Sequence, residues 1–305
     1  MSENKDNKKY LILLSGSPRG GEKAWKSLIK YVKNPLSADL AISYGDNFEI
    51  PNILKENVTY DWKFTEPENW TDYYEKEYKG TWKQFLLLGK DLGMAGGLDN
   101  NSGSGAIVSA LKDIIYKNYL ETVIKYEYII HTRFDQLYVD YQNDFSGDNI
   151  WIPEGEDYFG ICDRFAVFPS IYAKEYFSIC EYIDSPKSLN NPPKNVSPES
   201  VLLENLKSNK LEDKIIRIKR NHLTVALDSD STRWRHAKYK IYFFGKTLMK
   251  YPDEFIKSIS NINEKNGFIM LLLTRPVLTI NYLYLLLRRL LGKIKSTILF
   301  RNTNG

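Results

Sequence analysis

Residues 11–28 read LILLSGSPRGGEKAWKSL: an apolar run, a glycine-bearing turn, then a stretch with helical spacing. Leu11–Leu14, bounded by Ser15 and Gly16, predicts a buried strand. Trp25, Leu28, Ile29 and Val32 recur at offsets of three and four, which predicts a helix over Glu22–Lys33. Asp39–Ser43 predicts the next strand. Strand, helix and strand in that order form a parallel βαβ unit whose crossover helix lies on the sheet. Further along, Ile107, Leu111, Ile114 and Ile115 give a helical pattern, Tyr128–Thr132 and Ile150–Ile152 give strands, and Pro198–Glu199 opens another helix. Residues 47–82, rich in Trp, Tyr, Glu and Asn, carry no clear periodicity. Alternating strands and helices make this an α/β chain, whose ligands bind at the carboxyl ends of the strands.

The turn itself admits three loop chemistries and a plain structural one. Gly16–Gly21 has the GxxxxG spacing of a nucleotide phosphate loop, but Glu22, Lys23 and Ala24 follow where Lys and Ser/Thr are required. An acid there repels phosphate and no hydroxyl is present for magnesium. The same loop, GSPRGGEKAW, resembles the sulfonate-donor loop of sulfotransferases, which also wants a hydroxyl at the helix start. As a flavodoxin-like FMN loop it lacks the further Ser, Thr or Asn. A tight strand-to-helix turn that needs only glycine accounts for the segment by itself.

Composition narrows the classes. Of 305 residues, 43% are hydrophobic and 26% charged, which describes a globular chain able to bury a large core. A formal charge of +4 is too mild to predict nucleic-acid binding. Two cysteines without a CxxC and three histidines argue against a disulfide scaffold or a Cys/His zinc site. The expected compartment is the cytoplasm, since MSENKDNKKY has no apolar signal region.

The chemistry concentrates later, in YEYIIHTRFDQLYVD, residues 126–140. A strand ends there in Arg133-Phe134-Asp135, where nucleotide-sugar glycosyltransferases of the GT-A type carry DxD. In order along the chain, SPRGGEKAWKSL…ADLAI, GGLDNNSGSGAI (96–107), IWIPEGEDYFGICDRFAVFPS (150–170) and STRW…GKTLMKYPDEF (231–255) accompany it. The series resembles a family of GT-A-type glycosyltransferases of bacterial and viral surface-polysaccharide synthesis, over roughly residues 10–256.

That resemblance implies a GT-A-like (Rossmann-like) fold: a mixed, mostly parallel sheet flanked by helices, with a C-terminal helical tail. Residues 1–10 would be a disordered N-terminus, 11–260 the catalytic domain and 261–305 a basic amphipathic tail. It implies a nucleotide-sugar donor, a UDP-sugar first, and a glycan or lipid-linked acceptor. Gly16, Arg19, Gly20 and Gly21 would let the backbone approach the nucleotide, Gly103 would pack it against the next helix, and Arg133 and Arg233 would meet phosphate. Asp135 would hold Mn²⁺ or Mg²⁺; its missing partner acid, replaced by Arg133, puts that metal in question. A competing DxD stands at Asp228–Asp230. Asp163, beside Arg164, is the first candidate for the base that deprotonates the acceptor, with Glu199 second and Asp157 third. Sulfotransferase activity, or nucleotide or carbohydrate binding without turnover, are the alternatives.

No acidic residue follows Glu264, while Arg275, Arg288, Arg289, Lys293, Lys295 and Arg301 do. The longest uncharged run there, Pro276–Leu287, is well short of the roughly 20 residues a spanning helix needs. Leu283, Leu286, Leu287, Leu290, Leu291 and Ile294 share a stripe. Residues 267–300 are thus expected to lie on an anionic membrane surface, placing the protein at the inner face of the membrane.

Overall fold

Alternate residues of the first strand serve different layers: Leu11 and Leu13 face one apolar core, and Tyr10, Ile12 and Leu14 the other. A strand buried on both sides reads as continuous apolar sequence, which is why Leu11–Leu14 shows no alternation. The structure is a computed structural model that describes residues 9–142, 144–227, 229–230 and 247–303.

In chain order the elements are β1 (Tyr10–Ser15), α1 (Gly21–Leu28), β2 (Asp39–Gly45), α2 (Asn52–Lys55), β3 (Tyr60–Phe64), α3 (Trp70–Glu77), α4 (Trp82–Leu88) and α5 (Gly105–Val123). Then follow β4 (Tyr128–Thr132), β5 (Gln136–Tyr138), β6 (Ile150–Pro153), β7 (Phe165–Pro169), α6 (Ala173–Phe177), α7 (Ile179–Ile183), α8 (Pro186–Asn190) and α9 (Pro198–Ser208). The chain continues through β8 (Ile215–Ile218), β9 (His222–Leu227), β10 (Thr247–Met249), α10 (Pro252–Asn266), α11 (Phe268–Thr274) and α12 (Pro276–Thr303).

Seven strands form one sheet in the order β3-β2-β1-β4-β7-β6-β8. β7 alone runs against the others, pairing antiparallel with β4 and β6. β5, β9 and β10 make a small antiparallel sheet. One face of the main sheet is covered by α3–α7 and α9; the other by α1, α10 and the small sheet. This is an α/β fold of the Rossmann-like kind. Because β1 is followed by a helix on one face and β4 is preceded by a helix on the other, a crevice opens between their carboxyl ends.

Three expected boundaries move. Tyr10 is the first residue of β1 and is buried. The helix over Glu22–Lys33 is α1 followed by a wider π-type turn over Ile29–Lys33. Helix α10 runs through to Asn266, so the break in the chain falls at Gly267 rather than at 261. The unassigned segment 47–82 contributes α2, β3 and α3; Trp62, Trp70 and Tyr74 enter the core there, so aromatic packing rather than periodicity shapes it.

Candidate functional site

The register of β7 on β4 builds the site. Thr132 pairs with Phe165, so the start of β7 abuts the end of β4 and brings Asp163-Arg164 beside Arg133. The Thr132 hydroxyl donates to the Arg164 carbonyl at 3.3 Å. A cavity of about 370 Å³ lies at these strand ends. Gly16, Arg19, Arg133, Asp135 and Asp163 line it, joined by Ser15, His131, Asp230 and Lys250. Its volume is within the range of ligand clefts.

Arg133 and Asp135 form a two-pronged pair. Nε donates to Oδ1 at 3.0 Å and Nη2 to Oδ2 at 2.6 Å. Burial pushes the Asp135 carboxyl up, but the charge and hydrogen bonds of Arg133 outweigh it and hold its pKa below the usual value. The expected metal role for Asp135 does not fit this geometry. Both oxygens face a guanidinium, and among the described residues no cluster of three His, Cys, Asp or Glu side chains could hold an ion. A cation would have to displace a charge-assisted fork to reach the carboxylate.

The glycines divide. Gly16, at φ +109°, lines the cavity, and its N–H donates to Ser43 at 3.0 Å. Gly20 presses on the turn after β4: a Cβ there would stand 2.8 Å from the Asp135 Cα and 3.1 Å from the Phe134 carbonyl. Gly21 is tight against Leu227, and a Cβ on Gly103 would fall 2.6 Å from Gly93 backbone. These three act through chain-to-chain packing and are not among the cavity's lining residues. The Gly20 N–H is engaged as well, donating to Asp230 Oδ2 at 3.0 Å; the Leu227 N–H reaches the same oxygen at 2.8 Å.

Of the two expected companions of Asp163, neither lines the cleft. Arg164 is 2% exposed, 3.7 Å from Glu254, and stacked on Tyr251 with its guanidinium 4.9 Å from the ring centre. Glu199, in the first turn of α9, is buried behind Asp163. The two are brought together because Gly160 has no side chain: a Cβ there would be 2.1 Å from the Glu199 carbonyl, which accepts from Ile161 N–H at 3.2 Å. Burial, then the Asp163 charge, pushes the Glu199 carboxyl up to about 8. Glu199 therefore favours its protonated form at neutral pH. Asp157, in a surface loop, pairs with Arg217 at 2.6 Å. Arg233 and Asp228 lie outside the described residues.

Sequence reading missed four polar groups. His131 is buried in β4; its Nε2 stands 2.9 Å from Ser15 Oγ and its Nδ1 3.1 Å from the Tyr176 hydroxyl. Burial, then the charges of Lys112 and Arg133, keeps His131 neutral well below its ordinary pKa. Lys112 of α5 is 1% exposed; burial lowers its pKa, while the charges of Asp163 and Glu199 oppose the shift. Lys250 is lowered to about 8 by burial and by the charges of Arg133 and Arg164. His131 and Lys112 had a signal: each interrupts an apolar run with a charge-capable group. Ser15 and Lys250 had none.

No protein-family model matches the sequence, and no curated protein is significantly similar to it.

Proposed function

We propose that the protein is a glycosyltransferase with a GT-A-like catalytic domain, moving a sugar from a nucleotide donor to a hydroxyl of a surface glycan. One observation carries this reading: Asp163, 28 residues beyond the Arg133-Phe134-Asp135 turn, lines a single cleft with Arg133 and Asp135 at the carboxyl ends of β1 and β4. The mixed, mostly parallel sheet supports the GT-A assignment.

In the proposed reaction Asp163 faces the acceptor. The acceptor oxygen bonds to the anomeric carbon as the bond from that carbon to the diphosphate oxygen breaks. Asp163 takes the hydroxyl proton, and the electron pair leaves on the diphosphate. Glu199 beside it, with its carboxyl pushed up by burial, favours the protonated form, which leaves Asp163 as the acid lining the cleft. The forked Arg133 stands where negative charge develops.

The reading includes an anionic membrane partner. Among the described residues no helix is long and apolar enough to cross a membrane. α12 packs on α10 through Leu278 and Leu285, with Tyr282 and Ser260 hydroxyls 3.0 Å apart. Its other face, with α11, leaves Ile269 73% and Leu273 71% exposed, alongside Leu287, Leu290 and Leu291. Such a patch in a segment without acids suits a lipid surface, where a lipid-linked acceptor would reside.

The test is nucleoside-diphosphate release from a panel of UDP-, GDP- and dTDP-sugars, with binding measured in parallel. Asp163→Asn should retain donor binding and lose about a hundredfold or more in turnover. Turnover that survives the change sinks the assignment. Binding of adenosine 3′,5′-bisphosphate alone would point to sulfotransfer, and binding without turnover to a non-catalytic module.

A further inference from the structure

We propose that this cleft holds its diphosphate through Arg19, Arg133 and Lys250 without a divalent cation, Asp135 positioning the guanidinium instead of ligating metal. The inference rests on the proposed function for the identity of the ligand, but its geometry is independent of the sugar.

Three cationic side chains line the cleft: Arg19, Arg133 and Lys250. The fork to Asp135 uses Nε and one face of Nη2, which fixes the guanidinium plane and leaves Nη1 as a donor. Arg133 lines the cleft with 21% of its side chain exposed, while the Asp135 side chain is 7% exposed. Of the other acids that line the cleft, Glu66 packs against Gly45 at the end of β2, and two are met from within the protein. Asp230 Oδ2 receives two backbone N–H groups, and Asp163 lies in the field of Lys112, Arg164 and Arg133. A metal-dependent site needs the reverse arrangement, with carboxylate oxygens open to the ligand and no cation in front of them. Here the cation is built into the chain at the position where DxD would place an acid. Asp135 is thus a positioning residue: removing it loosens the guanidinium without removing a metal.

Calorimetry on the full chain tests this with UDP and inorganic pyrophosphate in EDTA, and UDP in Mn²⁺. UDP affinity in EDTA and in Mn²⁺ should agree within about threefold, and Arg133→Gln should weaken both by about tenfold or more. Arg133→Lys, which keeps charge but cannot fork, should weaken binding less than Arg133→Gln. Asp135→Asn should weaken binding equally with and without Mn²⁺, which a metal ligand would not do. Since Arg133→Gln strands a buried carboxylate, the double variant R133Q/D135N, checked by thermal melting, separates lost binding from lost folding. UDP binding that requires Mn²⁺ and vanishes in Asp135→Asn, or in Asp230→Asn, overturns the proposal. So does failure of both UDP and pyrophosphate to bind in EDTA. Pyrophosphate binding in EDTA with no preference for UDP or GDP keeps the metal-free anion site and removes the sugar-nucleotide reading. Mn²⁺-dependent UDP binding does the opposite.

Discussion

The backbone of Gly20, in the turn after the first strand, lies directly on Asp135, more than a hundred residues away in sequence. A Cβ on Gly20 would approach the Asp135 Cα to 2.8 Å, and its φ of +94° is one that other residues adopt at a cost. The first turn thus shapes the acid-bearing turn by touching it.

Gly20→Ala should therefore destabilise the protein by at least the cost of a left-handed residue, on the order of 1–3 kcal/mol, and more where the clash cannot relax. Chemical denaturation measures the loss. Diphosphate affinity should fall with it, because the shift is delivered to Asp135; an unchanged midpoint would remove the contact's importance.

Glu254 is the second structural pivot. It accepts from Arg220 Nη1 at 3.1 Å and from Thr224 N–H at 2.6 Å, and stands 3.7 Å from Arg164, all at buried positions. Glu254→Gln leaves two buried guanidiniums short of their counter-charge, and should cost about 3–5 kcal/mol of unfolding free energy. A near-neutral result would mean that Glu156, 3.9 Å from Arg164, compensates that guanidinium alone.

Glu199 predicts a pH signature. Its folded pKa is raised to about 8 from a reference of 4.5, so between those values the folded state holds a proton that the unfolded state has lost. Folding takes up a proton in that window, and the group's stabilising contribution is complete below pH 4.5 and lost as pH rises towards 8. Glu199→Gln has no such dependence. Unfolding free energies of the two proteins should converge near pH 4.5 and separate by pH 8 in favour of the variant, by an amount on the order of a few kcal/mol. Parallel curves would contradict the burial argument.

Lys250 sets a ceiling on anion binding. With its pKa lowered to about 8, it loses its charge as pH rises past that value. UDP affinity should fall through pH 8, while Lys250→Met should bind more weakly and respond less over the same range. Titration of the dissociation constant from neutral to alkaline pH decides it.

The C-terminal helices predict vesicle binding. The protein should co-sediment with vesicles containing phosphatidylglycerol, less with purely zwitterionic ones, and less again at high salt. Ile269→Glu with Leu273→Glu, both on the exposed face of α11, should reduce binding without lowering the melting temperature. Unchanged co-sedimentation, or a dimer in sedimentation velocity that the variants dissociate, would assign the patch to protein contact instead.

Sequence alone determined what depends on near neighbours. The βαβ opening, the β4 strand with its Arg133-Phe134-Asp135 end, the α9 start at Pro198 and the apolar stripe of α12 were legible, because buried strands and amphipathic helices leave a local pattern. Asp163 was legible as the first candidate among several acids. Tertiary structure decided which of them share a cleft. The antiparallel register that sets Phe165 against Thr132 brings Asp163 to Arg133, while Gly160 lets Glu199 slip behind it and become a proton holder. It also set Gly20, Gly21 and Gly103 against neighbouring chain segments, and paired Asp135 with Arg133 through two hydrogen bonds. The physical reason is common to all of these. Charge state and accessibility are set by which groups crowd together across long sequence separations, and no local pattern in the chain encodes that crowding.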